Sequence, residues 1–114
     1  MPRNISCALT IPQIEAETKT ETRRLGWDFL KEGDVLNVVD RTMGFKKGES
    51  PRHIRKIYVE KTWREPLNNI TREGVYAEGF PEMSVKEFIE FFCDSHNCES
   101  DTNIRVIQFD YVPF

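Results

Sequence analysis

Two hydrophobic rhythms near the end of the chain constrain its fold most. In residues 103–112, Ile107, Phe109 and Tyr111 alternate with Gln108 and Asp110. Shortly before them, Val85, Phe88, Ile89 and Phe92 fall at i, i+3, i+4 and i+7. A period of two describes a strand with one buried face, and the second spacing describes a helix with one apolar stripe. Ser84, with Glu87 three residues later, marks that helix's start as a capping box. Upstream, Ile57 and Val59 alternate with Tyr58 and Glu60 inside a segment running from Ile54 to Trp63, and the β-branched run Val35–Val39 leaves a Gly33–Asp34 turn. These two segments are expected to pair. Strands do not alternate with long helices, so a parallel doubly wound sheet is excluded. The order predicts an α+β fold: a small mixed, largely antiparallel β-barrel with short helices on its outside.

The remaining elements are shorter. Ile5–Leu9 predicts a first strand, followed by a helix over about residues 11 to 17 that is capped by Thr10 and opened by Pro12. Thr71 to Gly79 predicts a short helix with Thr71 as cap and Gly79 beyond its end, weakened by Gly74. Met43 to Pro51, rich in glycine and carrying Lys46 and Lys47, predicts an exposed loop.

A length of 114 residues has room for one core, so a single domain over 1–114 is expected. The chain has no apolar run near the roughly 20 residues of a membrane span and no export signal, which predicts a cytoplasmic protein with no membrane partner. Three cysteines, Cys7, Cys93 and Cys98, are then expected to be reduced thiols. His96 between the last two does not complete a usual zinc spacing, so neither a metal nor a cofactor is expected. His53 and His96 read as surface or lightly packed residues. Residues 1–64 hold 13 basic and 9 acidic residues and residues 65–114 hold 3 and 10, a split of +4 against −7. That polarity suits a few phosphate contacts and excludes a protein that grips duplex DNA through many.

The densest chemistry lies in Thr18–Arg24, where a lysine, three hydroxyls and two guanidinium groups follow one another. A lysine can serve as base to a hydroxyl nucleophile, and Lys19 precedes Thr22 by three residues. In a turn or helix the two share a face. In a strand Thr18, Thr20, Thr22 and Arg24 lie on one face, with Lys19, Glu21 and Arg23 on the other.

Lys19-Thr20-Glu21-Thr22-Arg23-Arg24 resembles the signature of ASCH domains, Gly-x-Lys-x-x-Thr-x-Arg. Gly33-Asp34-Val35-Leu36 and Glu78-Gly79-Phe80 follow in the family's order, so the resemblance covers nearly the whole chain, and it is nearest to small phage and bacterial ASCH proteins. It implies a PUA-like β-barrel with a cleft lined by the signature, used by members for RNA or modified-nucleoside recognition. One similar subfamily hydrolyses the acetyl amide of acetylcytidine with Thr, Lys and Glu. That likeness implies catalytic roles for Lys19, Thr22 and Glu78, with Glu82 a poorer candidate than Glu78, and places the signature arginine at Arg24. The family's glycine is Glu17 here, so the turn that joins Lys19 to Thr22 is expected to differ, because glycine supplies backbone conformations closed to other residues.

Two readings stay open. In the first, the protein hydrolyses the amide of an acylated nucleoside through Lys19, Thr22 and Glu78. In the second, it binds a nucleoside, nucleotide or single-stranded RNA without turnover, using Arg23, Arg24, Lys46 and Lys47 for phosphate and Trp27 to stack on a base.

Overall fold

The computed structural model describes residues 3–113; the outermost positions of the expected domain, 1, 2 and 114, lie outside the described residues. The elements are β1 (Arg3–Ser6), α1 (Ile11–Glu15), β2 (Glu21–Arg24), β3 (Val35–Val39), β4 (His53–Pro66), a 3-10 turn (Leu67–Asn69), α2 (Arg72–Glu78), α3 (Val85–His96) and β5 (Asn103–Tyr111). The five strands form one curled half-barrel sheet in the order β1-β3-β4-β5-β2. Only β1 and β3 are parallel; the other neighbours are antiparallel, as the sequence predicts.

The sheet is buried on both faces, and β5 shows why. Ile107, Phe109 and Tyr111 join Ile5, Ile14, Leu36, Val38, Ile57 and Val59 in the core inside the curl. Ile104 and Val106, on the opposite face, join Leu67, Ile70, Val75, Phe88 and Phe92 in a second core beneath the helices. Each fully buried phenylalanine in that layer contributes about 2–3 kcal/mol of hydrophobic stabilisation. The 14-residue β4 gives Ile54, Ile57 and Val59 to the inner core and then changes phase. Its register with β5 shifts between Val59 and Lys61, where one extra residue enters. Before the shift Ile57 and Val59 face inside; after it Thr62 and Arg64 take that face, and Trp63 turns outward.

Local chemistry explains the helix ends. In α3 the Glu87 N–H donates to Ser84 Oγ at 3.0 Å and the Ser84 N–H to Glu87 Oε1 at 2.9 Å, the reciprocal box expected from the sequence. These donors hold the Glu87 carboxyl below the usual carboxylate range. In α2 Thr71 Oγ1 accepts from the Gly74 N–H at 3.2 Å, and Gly79 ends the helix at φ +105°. Two expectations need correction. The first strand stops at Ser6 rather than Leu9, and Thr10, although it precedes α1, makes no side-chain cap bond. Its backbone carbonyl accepts from Ile14 N at 3.0 Å instead, while Pro12 in the first turn supplies a fixed helical φ.

Candidate functional site

The signature segment begins at a turn. Helix α1 ends at Glu15, and Glu17 follows at φ +59°, in the left-handed region. Thr18 N donates to Gln13 O at 2.9 Å and Glu17 N to Ile14 O at 3.1 Å, a Schellman arrangement that glycine usually occupies. Glu17 thus holds the left-handed conformation that a glycine supplies freely, at a cost of about 1–2 kcal/mol.

Beyond the turn the chain becomes extended, so Lys19, Glu21 and Arg23 take one face and Thr22 and Arg24 the other, and no turn brings Lys19 and Thr22 to a shared face. The Lys19 backbone is clamped, its carbonyl accepting from the Tyr111 hydroxyl at 2.6 Å. Burial raises the Tyr111 phenol far above its ordinary value, which keeps that donor protonated. The Lys19 side chain is 3% exposed, and its Nζ donates to Glu78 O at 2.6 Å and to Glu78 Oε1 at 3.0 Å. The other Glu78 oxygen faces Arg23 Nη1 at 3.4 Å, and Arg23 Nη2 reaches Glu21 Oε1 at 3.0 Å. Lys19, Glu78, Arg23 and Glu21 thus form an alternating chain of charge that sums to zero. Gly74 makes room for it: a Cβ there would sit 2.8 Å from Arg23 Nη2 and 2.9 Å from Ile70 Cγ1. The glycine that weakens α2 as a sequence is what lets Arg23 lie against the helix.

Thr22 and Arg24 leave β2 on its other face. Arg24 Nε donates to Thr22 Oγ1 at 3.1 Å, and Arg24 Nη2 to Ser6 O at 2.6 Å. Since β1 and β2 are the two edges of the sheet, Arg24 ties one edge to the other across the open side of the curl. A cleft of about 160 Å³ opens there, and because β2 is an edge strand it reaches side chains from both faces. Lys19, Thr22, Arg23, Arg24 and Glu78 form its polar wall, and Phe80, Phe88, Phe91, Phe92 and His96 its aromatic wall.

All three residues assigned catalytic roles by resemblance, Lys19, Thr22 and Glu78, therefore line one cleft, although Lys19 Nζ bonds to Glu78 while Thr22 Oγ1 bonds to Arg24. Glu82 lines a different cavity, with Gln13, Thr18 and Tyr76. Arg23 and Arg24 reach the cleft; Trp27, Lys46 and Lys47 do not line it. Trp27, at φ +57°, packs on the inner core and against Phe29 at 5.2 Å between ring centres. Lys46 and Lys47 lie in the exposed loop before β4.

His53 and His96 are both exposed, as the sequence predicts, and His96 also lines the cleft. The His96 ring stacks on Phe92 with centres 4.0 Å apart while its Nδ1 meets Phe92 O at 3.1 Å. Because a carbonyl only accepts, Nδ1 carries the proton and, in the neutral ring, Nε2 is left as an acceptor. The i, i+4 spacing of Phe92 and His96 on a helix was the available signal. Among the described residues no group of His, Cys, Asp and Glu side chains could hold a metal ion, and no helix is long and apolar enough to cross a membrane.

No protein-family model matches the chain, and no curated protein matches it. Solved structures do. The hypothetical protein PH0355 superposes with a TM-score of 0.69 at 16% identity, over 98% of this chain and 100% of the other. Protein EF3133 of Enterococcus faecalis V583, from the DUF984 family, gives 0.67 at 17% identity, over 98% and 77%. The ASCH domain from Lactobacillus crispatus JV V101 gives 0.57 at 14% identity, over 90% and 70%. At these identities likeness establishes architecture alone: the chain has an ASCH-type α+β fold.

Proposed function

We propose that the cleft takes a nucleoside-sized substrate and hydrolyses an acyl amide on its base. The observation that carries this reading is the buried Lys19–Glu78 pair opening on the same cleft as the Thr22 hydroxyl. Burying two charges costs several kcal/mol before their mutual attraction is counted, and a fold needing only stability does as well with apolar side chains. The aromatic wall of Phe91, Phe92 and His96 suits a planar ring, and the cleft volume suits one base with a small substituent.

In this mechanism Lys19 passes a proton to Glu78 and its free amine takes the proton of the Thr22 hydroxyl. Thr22 Oγ1 bonds to the acyl carbon, and Arg24 Nε, already 3.1 Å from that oxygen, donates to the oxyanion. The C–N bond then breaks as the leaving amine takes a proton from Lys19. Water gives a proton to the same lysine as its oxygen bonds to the ester carbon; the lysine passes that proton to Thr22 Oγ1 as the acid leaves, and Glu78 returns its own proton to Lys19. The test is turnover of acetylcytidine by purified protein. Thr22→Ala and Lys19→Ala are each expected to lower kcat by about 100-fold or more. Absence of turnover by the wild type on any acylated nucleoside tried removes the reading.

A specific observation favours a second reading, binding without chemistry: Lys19 Nζ is engaged by Glu78 and Thr22 Oγ1 by Arg24, so the resting lysine and hydroxyl are not coupled to each other. In that case the wild type binds cytidine or a short single-stranded RNA unchanged, and Arg24→Ala with Phe91→Ala abolishes binding.

A further inference from the structure

A second cationic feature lies beside the cleft. The strand register sets Arg24 of β2 opposite Arg105 of β5, and Arg105 opposite Arg64 of β4. Directly opposed residues of antiparallel strands project to the same face, so three arginines stand in one row across three strands. The next row inward is Thr22, Ile107 and Thr62, and the guanidinium groups fold back onto it. Arg24 Nε bonds to Thr22 Oγ1, and Arg105 Nη1 bonds to Thr62 Oγ1 at 3.1 Å.

Carboxylates are scarce here. Arg64 pairs with the exposed Asp28 and donates to Gly26 O at 3.3 Å. Among the described residues, neither Arg24 nor Arg105 forms an ion pair, and the buried Nε of Arg105 has no hydrogen-bond partner. Like charges directly opposite each other in a sheet are destabilising, more so when half-buried. The flanking loop is strained as well: Gly26 and Trp27 both hold positive φ, +78° and +57°, which for a tryptophan is a genuine outlier.

We propose that Arg24, Arg105 and Arg64 form a seat for a phosphoryl group, at the end of the sheet where β2, β5 and β4 meet. An oxyanion there removes the repulsion within the row and takes up the free donors of Arg105, whose planar fork suits phosphate oxygens. The site goes beyond the cleft reading and does not depend on it. Arg24 is shared with the cleft, so a ligand seated in both carries its phosphate on the Arg105 side. That makes it a mononucleotide or a nucleotide within an RNA strand, and moves the phosphate contact from Lys46 and Lys47 to the sheet.

The test is calorimetric titration of the full chain at low ionic strength with inorganic phosphate, cytidine 5′-monophosphate, cytidine and a short single-stranded RNA. Wild type, Arg105→Gln, Arg105→Lys and Lys47→Gln are compared, with thermal midpoints confirming that each is folded. Arg105→Gln is expected to weaken phosphate and mononucleotide about tenfold or more while leaving cytidine unchanged. Arg105→Lys falls between, and Lys47→Gln behaves as wild type. If Arg105 matters only for RNA, the seat reads a phosphodiester; if it matters for phosphate and mononucleotide too, a terminal phosphate. Either outcome upholds a phosphoryl seat. If no phosphate-bearing ligand binds in the millimolar range, or if Arg105→Gln binds all of them as tightly as wild type, the proposal is overturned. Phosphate binding is read without turnover, so failed hydrolysis and a failed seat are separate results.

Discussion

Arg23 and Arg24 are neighbours in sequence and opposites in circumstance. Arg23 is buried against Gly74 with Glu78 and Glu21 on its two terminal nitrogens, whereas Arg24 leaves the other face of the strand and finds a hydroxyl and a carbonyl. The first belongs to a charge chain that closes on itself. The second stands in a row that does not. The difference separates two uses of charge: a self-neutralised cluster needs no ligand and fails when a member is lost, and an unneutralised one tolerates loss but binds less.

That contrast breaks or sharpens under substitution. The largest effect is expected from Glu78→Ala, which leaves Lys19 and Arg23 buried without their shared partner and costs about 3–5 kcal/mol in urea unfolding. A loss under about 1 kcal/mol would mean that water already neutralises the chain, and the contrast would fail. Gly74→Ala comes next. Alanine favours the helix by about 1 kcal/mol, but its Cβ meets Arg23 and Ile70, so a net loss of about 1–2 kcal/mol is expected from the same measurement. Unchanged or improved stability would show that the Arg23 side can yield. The smallest effect belongs to Glu17→Gly, which relieves the left-handed strain and gives up the Glu17–Arg55 pair at 3.7 Å. A gain of up to about 1 kcal/mol is expected, read from thermal unfolding, with turnover and ligand affinity unaltered.

Much of this arrangement was legible in the sequence, for definite reasons. The helices α2 and α3 declare their ends through Thr71, Gly79, Ser84 and Glu87, because caps are made by neighbours in the chain. The paired strands follow from alternation, which survives in any sheet with a buried face. Glu78 was reached only by resemblance: its partner Lys19 lies 59 residues away, and no local pattern announces that contact. The bulge in β4 was hidden because an extra residue looks like a flaw in alternation until its partner strand is known. It decides that Arg64 rather than Trp63 shares a face with Arg105. The arginine row is invisible for the same reason, since its members belong to three separate strands. His96 is legible as a surface residue, whereas its stacking on Phe92 shows only once residues 85–96 are set on a helix.

The hydrogen bond from Tyr111 to the Lys19 carbonyl has a consequence for the order of events during synthesis. The strand that carries Tyr111 pairs with both β2 and β4, and it leaves the ribosome after every other element described here. Until it arrives β2 has no strand partner, the Lys19 carbonyl has no clamp, and the two faces of the sheet have no shared wall. Loop-closure entropy makes such distant pairings late events in any case. The nascent chain therefore emerges with its lysine, threonine and arginines exposed but unassembled. The cleft and the arginine row are completed together, with the last strand.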